Sequence, residues 1–372
     1  MHSPKLAKNK NIGILFGKRS DYGAKVMEKV ISKKRSMSVD IAKGAAILCV
    51  VAGHCGFPLT LWINPYSFHM AFFFIIAGFF INAESGFFKF ISSKITRLLV
   101  SFYAYFFACA VLALLFCEEV LPSDFFSLRV LLLDPFNRNG TFSLIHPLWF
   151  LTALFCGMFL FRLFYRAAAK LTTGISWQRQ ILILAIIGQF LVEAQAFLSI
   201  DSALNILFRG LIVATLLGIG YVGWKARKNW NNSTVYFIAA YVFLTLLWRF
   251  HPNYIMAQHN YNRGIIKHLF MLCSLSGFLT VFGVCKTIES IPILSKFLAL
   301  CGKHSFTLMA LHIAAFKLIP QDLPAGLPNI LGNSWLQKTL LFTTGVVVPL
   351  AIGASFDYLR RTYINHRSQR KI

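Results

Sequence analysis

The chain has 372 residues, 57% of them hydrophobic and only 13% charged, with 37 Lys and Arg against 13 Asp and Glu and a net charge of +24. Soluble domains carry roughly a quarter charged residues, so this chain has too few to cover a water-facing surface, and a soluble reading is excluded. The basic excess flanks apolar runs without the interleaved aromatics that stack bases, which argues against nucleic acid as a partner and for charge that sets membrane topology.

Residues 1–36 read as a basic cytoplasmic arm, with Lys5, Lys8, Lys10, Lys18, Arg19, Lys25, Lys29, Lys33, Lys34 and Arg35 and no signal-peptide cleavage pattern. Met37 stands directly before the first apolar run and is an alternative start. From there about ten transmembrane helices are expected, near 39–56, 66–83, 98–117, 147–164, 180–198, 204–223, 234–250, 265–285, 304–319 and 338–358. The expected fold is an all-α polytopic membrane bundle spanning residues 37–360, followed by a basic tail at 361–372.

The loops alternate in charge. Lys89, Lys94 and Arg97, then Arg162, Arg166 and Lys170, then Lys225, Arg227 and Lys228, then Lys286, Lys296 and Lys303 follow successive even-numbered spans. Glu118, Glu119, Asp124, Asp134 and Asp201 lie on the other side. The positive-inside rule then places both termini in the cytoplasm. Arg249, Arg263 and Lys267 are the misfit, basic on the expected outer side. The eight cysteines form no CxxC pair and mostly sit in apolar stretches, so they read as small buried hydrophobes. No disulfide framework and no metal site is expected.

Chemistry-bearing residues concentrate in a few helices. Lys43 and His54 lie eleven positions apart, within about 20° of one stripe of the first helix and roughly 16 Å along its axis. One face then holds a cation near the inner leaflet and an imidazole near the outer one. Ionisable groups at membrane depth usually face a polar cavity, although Lys43 could snorkel and His54 could be interfacial. His69 opens the second span on the same outer side, and Gly78 ends the apolar run Ala71-Phe-Phe-Phe-Ile-Ile-Ala77 either for close helix packing or for ligand approach. Lys94 and Arg97, three apart, share a cytoplasmic face and suit the phosphates of a nucleotide-like donor, or form a plain positive flank. Ser305 and His312 share a stripe near the end of the chain, with His312 in the outer half; His268 is also outer. Single histidines on apolar helices are commonly packing residues, but four gathered at one face are harder to dismiss.

At these residues the sequence resembles the membrane acyltransferase 3 family. The likeness rests on Lys43 to His54 with Asp40 and Gly44, on Phe68-His69-Met70 through Phe73 and Gly78, on Lys94 and Arg97, on Trp149-Phe150-Leu151, and on Ser305 to His312. Ala71 and Ala77 stand where the family commonly has Pro and Ser. Lys43 keeps the charge of a more frequent Arg but not its bidentate geometry.

The resemblance implies transfer of an acyl group, with acetyl expected, from cytosolic acyl-CoA to a hydroxyl of an envelope carbohydrate, in a bacterial inner membrane. Acyl-CoA is then a donor substrate, and no tightly bound cofactor is expected. His54 is the candidate general base, with an acyl-His intermediate as a variant; His69 and His312 are the candidates for orienting the acceptor or holding the oxyanion. Lys43, Lys94 and Arg97 are the candidate donor-binding residues, and Asp40, about 21 Å of helix rise from His54, is expected to pair with Lys43. The rival classes are a transporter of an envelope glycan or small anion, which symmetric broken helices would favour, and a glycan-assembly partner without chemistry of its own.

Overall fold

The computed structural model describes residues 36–57, 68–116, 121, 124–137, 143–195, 197–198, 203–227, 239–243, 246, 268–318 and 332–369. Residues 1–35 of the expected basic arm, Glu118, Glu119, Asp201, most of the expected span at 234–250 and the misfit residues Arg249, Arg263 and Lys267 lie outside them. Among the described residues every regular element is helical, without a strand.

The main helices are α1 (Met37–Cys55), α2 (His69–Phe79), α3 (Phe87–Lys94), α4 (Val100–Phe116), α5 (Trp149–Leu171), α6 (Trp177–Gln195), α7 (Ala203–Ala226), α8 (Phe270–Ile288), α9 (Pro292–Lys303), α10 (Ser305–Phe316) and α11 (Gly332–Gln369). A single π-helical turn, Ile95–Leu99, joins α3 to α4, and a 3-10 turn, Ser143–Leu148, leads into α5.

Six stretches are long and apolar enough to cross a membrane: α1, Phe87–Leu115, Leu144–Leu171, α7, α8 and Trp335–Tyr363. The bent pair α9 and α10, at 81°, makes a seventh if counted as one span. The expected ten are therefore supported as six or seven among the described residues, and the differences have physical reasons. The stretch expected at 66–83 forms only the eleven-residue α2, about 16 Å long, half of a hydrocarbon core of about 30 Å. Nine of its eleven residues are buried, so it is wrapped by other helices instead of lipid. The helix at the place of the expected span 180–198, α6, carries Gln180, Gln189, Glu193 and Gln195. The segment read as a loop with Lys296 and Lys303 is α9, an amphipathic helix started by Pro292 in its first turn.

Large apolar side chains point outward where lipid would lie: Phe107 and Leu115 on α4, Ile186 and Phe190 on α6, Phe356 and Leu359 on α11. In water such a surface would associate; against acyl chains it costs nothing.

Glycines decide how closely the inner helices approach. A Cβ on Gly44 would meet the backbone carbonyl of Leu298, and one on Gly302 would meet that of Asp40. Helices α1 and α9 therefore cross antiparallel with their backbones in contact. Gly78 and Gly220 do the same for α2 and α7, against the carbonyls of Leu217 and Ile75. Of the two readings open for Gly78, the helix-packing one holds. Lipid supplies no hydrophobic force between helices, so this close contact is what binds them. Phe150, from the Trp-Phe-Leu segment, stacks on Phe74 at 4.8 Å between ring centroids and meets Phe73 edge-on.

Candidate functional site

The end of α1 carries His54, and the start of α2 carries His69. Helix α10 brings His312 beside His54. Its Nε2 lies 2.9 Å from Nδ1 of His54, with ring centroids 4.9 Å apart and planes tilted by 43°. The other nitrogen of His312, Nδ1, lies 2.8 Å from the carbonyl oxygen of Leu308, one turn back on α10. His312 is 0% exposed and His69 is 2% exposed, and the two are within electrostatic reach of each other. Of the four histidines expected at one face, the structure brings these three together. His268 bonds Glu193 of α6 at 2.7 Å instead, and Gln189 braces that carboxylate at 3.1 Å.

The register of α10 also points Thr307 at α4, where its hydroxyl is 3.3 Å from that of Tyr105. Phe306 meets the ring of Tyr105 edge-on. The 3-10 turn containing His146 packs on α10. Gly345 of α11 lies against Phe316 and Val51 beside this group, and Gly353, two turns on, lies against the ring of His304.

At the opposite end of α1, Lys43 Nζ is 3.5 Å from Asp40 Oδ1, the pairing expected from helix rise. The Lys43 side chain is 22% exposed, so it lies against protein and is not turned out into lipid. Nearby in the chain's contacts, Gly302 packs on Asp40, Lys303 pairs with Asp357 of α11, and His304 Nε2 is 3.8 Å from the same carboxylate. This cluster occupies the break between α9 and α10.

Lys94 and Arg97 are placed differently. Lys94 ends α3 with its ammonium 5.1 Å from the Phe90 ring centroid, and Arg97 projects from the π-helical turn, exposed. A single π-helical turn often marks a functional position. Further along that end, Arg162 donates to the Ser85 carbonyl at 2.7 Å, Lys225 approaches Glu84 at 3.8 Å, and the hydroxyls of Tyr165 and Tyr221 are 3.0 Å apart. The turn after α2 and the ends of α5 and α7 therefore meet, which joins two of the basic clusters read from the sequence.

Sequence reasoning missed the Leu308 carbonyl, Tyr105 and Thr307. The first was visible in principle, since a residue four positions before a helical histidine presents its carbonyl to that side chain. The Tyr105 contact spans 202 positions and had no local signal. Among the described residues no group of three or more His, Cys, Asp or Glu could hold a metal ion.

No curated protein and no solved structure matches the chain. The family model Acyl_transf_3, described as an acyltransferase domain, matches residues 37–354. That range takes in α1 with Lys43 and His54, the His69 helix, the π-helical turn and the His312 helix alike, and the chain belongs to the acyltransferase 3 family of membrane acyltransferases.

Proposed function

We propose that this protein is an O-acyltransferase that moves an acyl group, acetyl in the simplest case, from cytosolic acyl-CoA to a hydroxyl of an envelope polysaccharide or glycolipid. The observation that carries this reading is the bonded pair of half-buried His54 and fully buried His312, at one end of a helix whose other end holds Lys43. A transporter can use such a histidine as a proton relay, so the family of the chain is what weighs against transport. Group transfer uses the same oriented nitrogen as its base.

In this reading Nε2 of His54 takes the proton from the acceptor hydroxyl as its oxygen attacks the thioester carbonyl. A C–O bond forms, the C–S bond breaks, and the imidazolium returns the proton to the departing thiolate. His69, buried beside His312, orients the acceptor or faces the developing oxyanion. Lys43, Lys94 and Arg97 hold the phosphates of the donor, Arg97 as a fork and the lysines as point charges.

The joining of Glu84 with Lys225 and of Ser85 with Arg162 supports placing these basic clusters on one side. We place that side in the cytoplasm of a bacterial inner membrane, with both termini there and a total near ten crossings. The donor then enters from within, and the acceptor meets His54 near the outer face.

The test is purified protein in liposomes with labelled acetyl-CoA, following thiol release and label transfer to envelope glycan, beside mass spectrometry of glycans from cells with and without the gene. His54→Ala is expected to insert normally and to lose at least about 10²-fold in transfer rate. A His54→Ala protein that transfers at the normal rate ends the general-base reading.

A further inference from the structure

Two hydrogen bonds fix the direction of the proton shared between His312 and His54. A carbonyl oxygen can only accept, so the 2.8 Å contact to Leu308 requires that Nδ1 of His312 carry a hydrogen. A buried imidazolium at 0% exposure would need an anion bonded to it. The two partners of His312 are a carbonyl and another imidazole. His312 is therefore neutral, and its Nε2 is a lone pair. The 2.9 Å contact then requires that Nδ1 of His54 donate to it.

We infer that His312 is a positioning residue, which holds His54 as the Nδ1–H tautomer and so turns the basic Nε2 of His54 toward the reacting hydroxyl. The chain of contacts runs from the Leu308 carbonyl through His312 to His54. It performs with a backbone carbonyl and an imidazole what a carboxylate does when it orients a catalytic histidine. Both ring nitrogens of His312 are committed in this arrangement. Of the two roles expected for it, orienting remains, and its target is His54 instead of the acceptor.

The register makes this arrangement robust. Leu308 is 0% exposed and lies one turn before His312 on α10, so its carbonyl cannot turn to water without unwinding the helix there. Val51, which precedes His54 by one turn of α1, and Phe316, which follows His312 by one turn of α10, both pack on Gly345 of α11. One helix thus clamps the two that carry the pair. His69 is the further titratable group facing His312.

The inference rests on the general-base reading of His54, and its test separates the two. Nitrogen-15 spectra of histidine-labelled protein in lipid bilayers read each ring nitrogen directly, without any assay of activity. The expected result is a protonated Nδ1 and an unprotonated Nε2 on His54, assigned by its loss in His54→Asn. An unprotonated Nδ1 on His54 overturns the inference whatever the enzyme does. In kinetics, His312→Leu is expected to lower kcat about 10²-fold with KM for acetyl-CoA within about threefold. His312→Gln, which keeps an acceptor toward His54 and a donor toward Leu308, is expected to recover most of that loss. Should His312→Leu retain full kcat while His54→Ala is inactive, the base stands and the positioning role falls. If both are fully active, the general-base reading falls with it.

Discussion

The two ends of the proposed transfer path are built in opposite ways. At the histidine end, side chains from three helices gather, two of them, His69 and His312, buried and His54 half-buried, and each ring nitrogen of His312 has a bonded partner. At the basic end, Arg97 is exposed on a π-helical turn and Lys94 leans over a phenylalanine of its own helix. The first arrangement exists only if α1, α2 and α10 pack correctly; the second needs little more than local helix. Chemistry requires a fixed angle between base and proton, whereas phosphate capture tolerates loose charges that follow their ligand.

The largest effect that would break this contrast belongs to the helix packing beneath the histidines. Gly302→Val places a branched side chain into the Asp40 carbonyl. It should cost about 1–3 kcal/mol or more, seen as a lowered melting temperature in detergent with loss of transfer. Gly86→Ala, where a Cβ meets open space, should leave both unchanged. Equal behaviour of the two would mean that the α1–α9 contact does not hold the site.

A smaller effect sharpens the basic end. Lys94→Ala with Arg97→Ala is expected to raise KM for acetyl-CoA about tenfold while kcat stays near normal, the signature of lost ground-state binding. Raising salt should weaken donor binding by the wild type, because exposed charges are screened over about 10 Å. An unchanged KM in the double variant would move the donor phosphates elsewhere, with the Arg162 and Lys225 cluster the next place to look.

The smallest effect lies at the break between α9 and α10. Lys303→Met removes the partner of Asp357, but both side chains are about one-third exposed. A partly solvated pair contributes at most about 1 kcal/mol, so melting should shift by only a few degrees. A collapse in stability would show that this ion pair latches the broken helix.

The sequence by itself settled what depends on composition and on one helix at a time. Few charges and long apolar runs required a lipid-facing bundle, and the eleven-residue spacing put Lys43 and His54 on one stripe of α1. The Lys43 and Asp40 contact, three residues apart, followed from helix geometry. Local period could not reveal that α2 is a short helix swallowed by its neighbours, since an apolar run reads the same whether it faces lipid or protein. Nor could it show α9, whose amphipathic pattern resembled a basic loop. The meeting of His54 with His312 spans 258 positions, and the direction of the proton between them hangs on a backbone carbonyl. Only tertiary packing decides which helices touch, and hydrogen-bond polarity is a property of the contact, not of either residue alone.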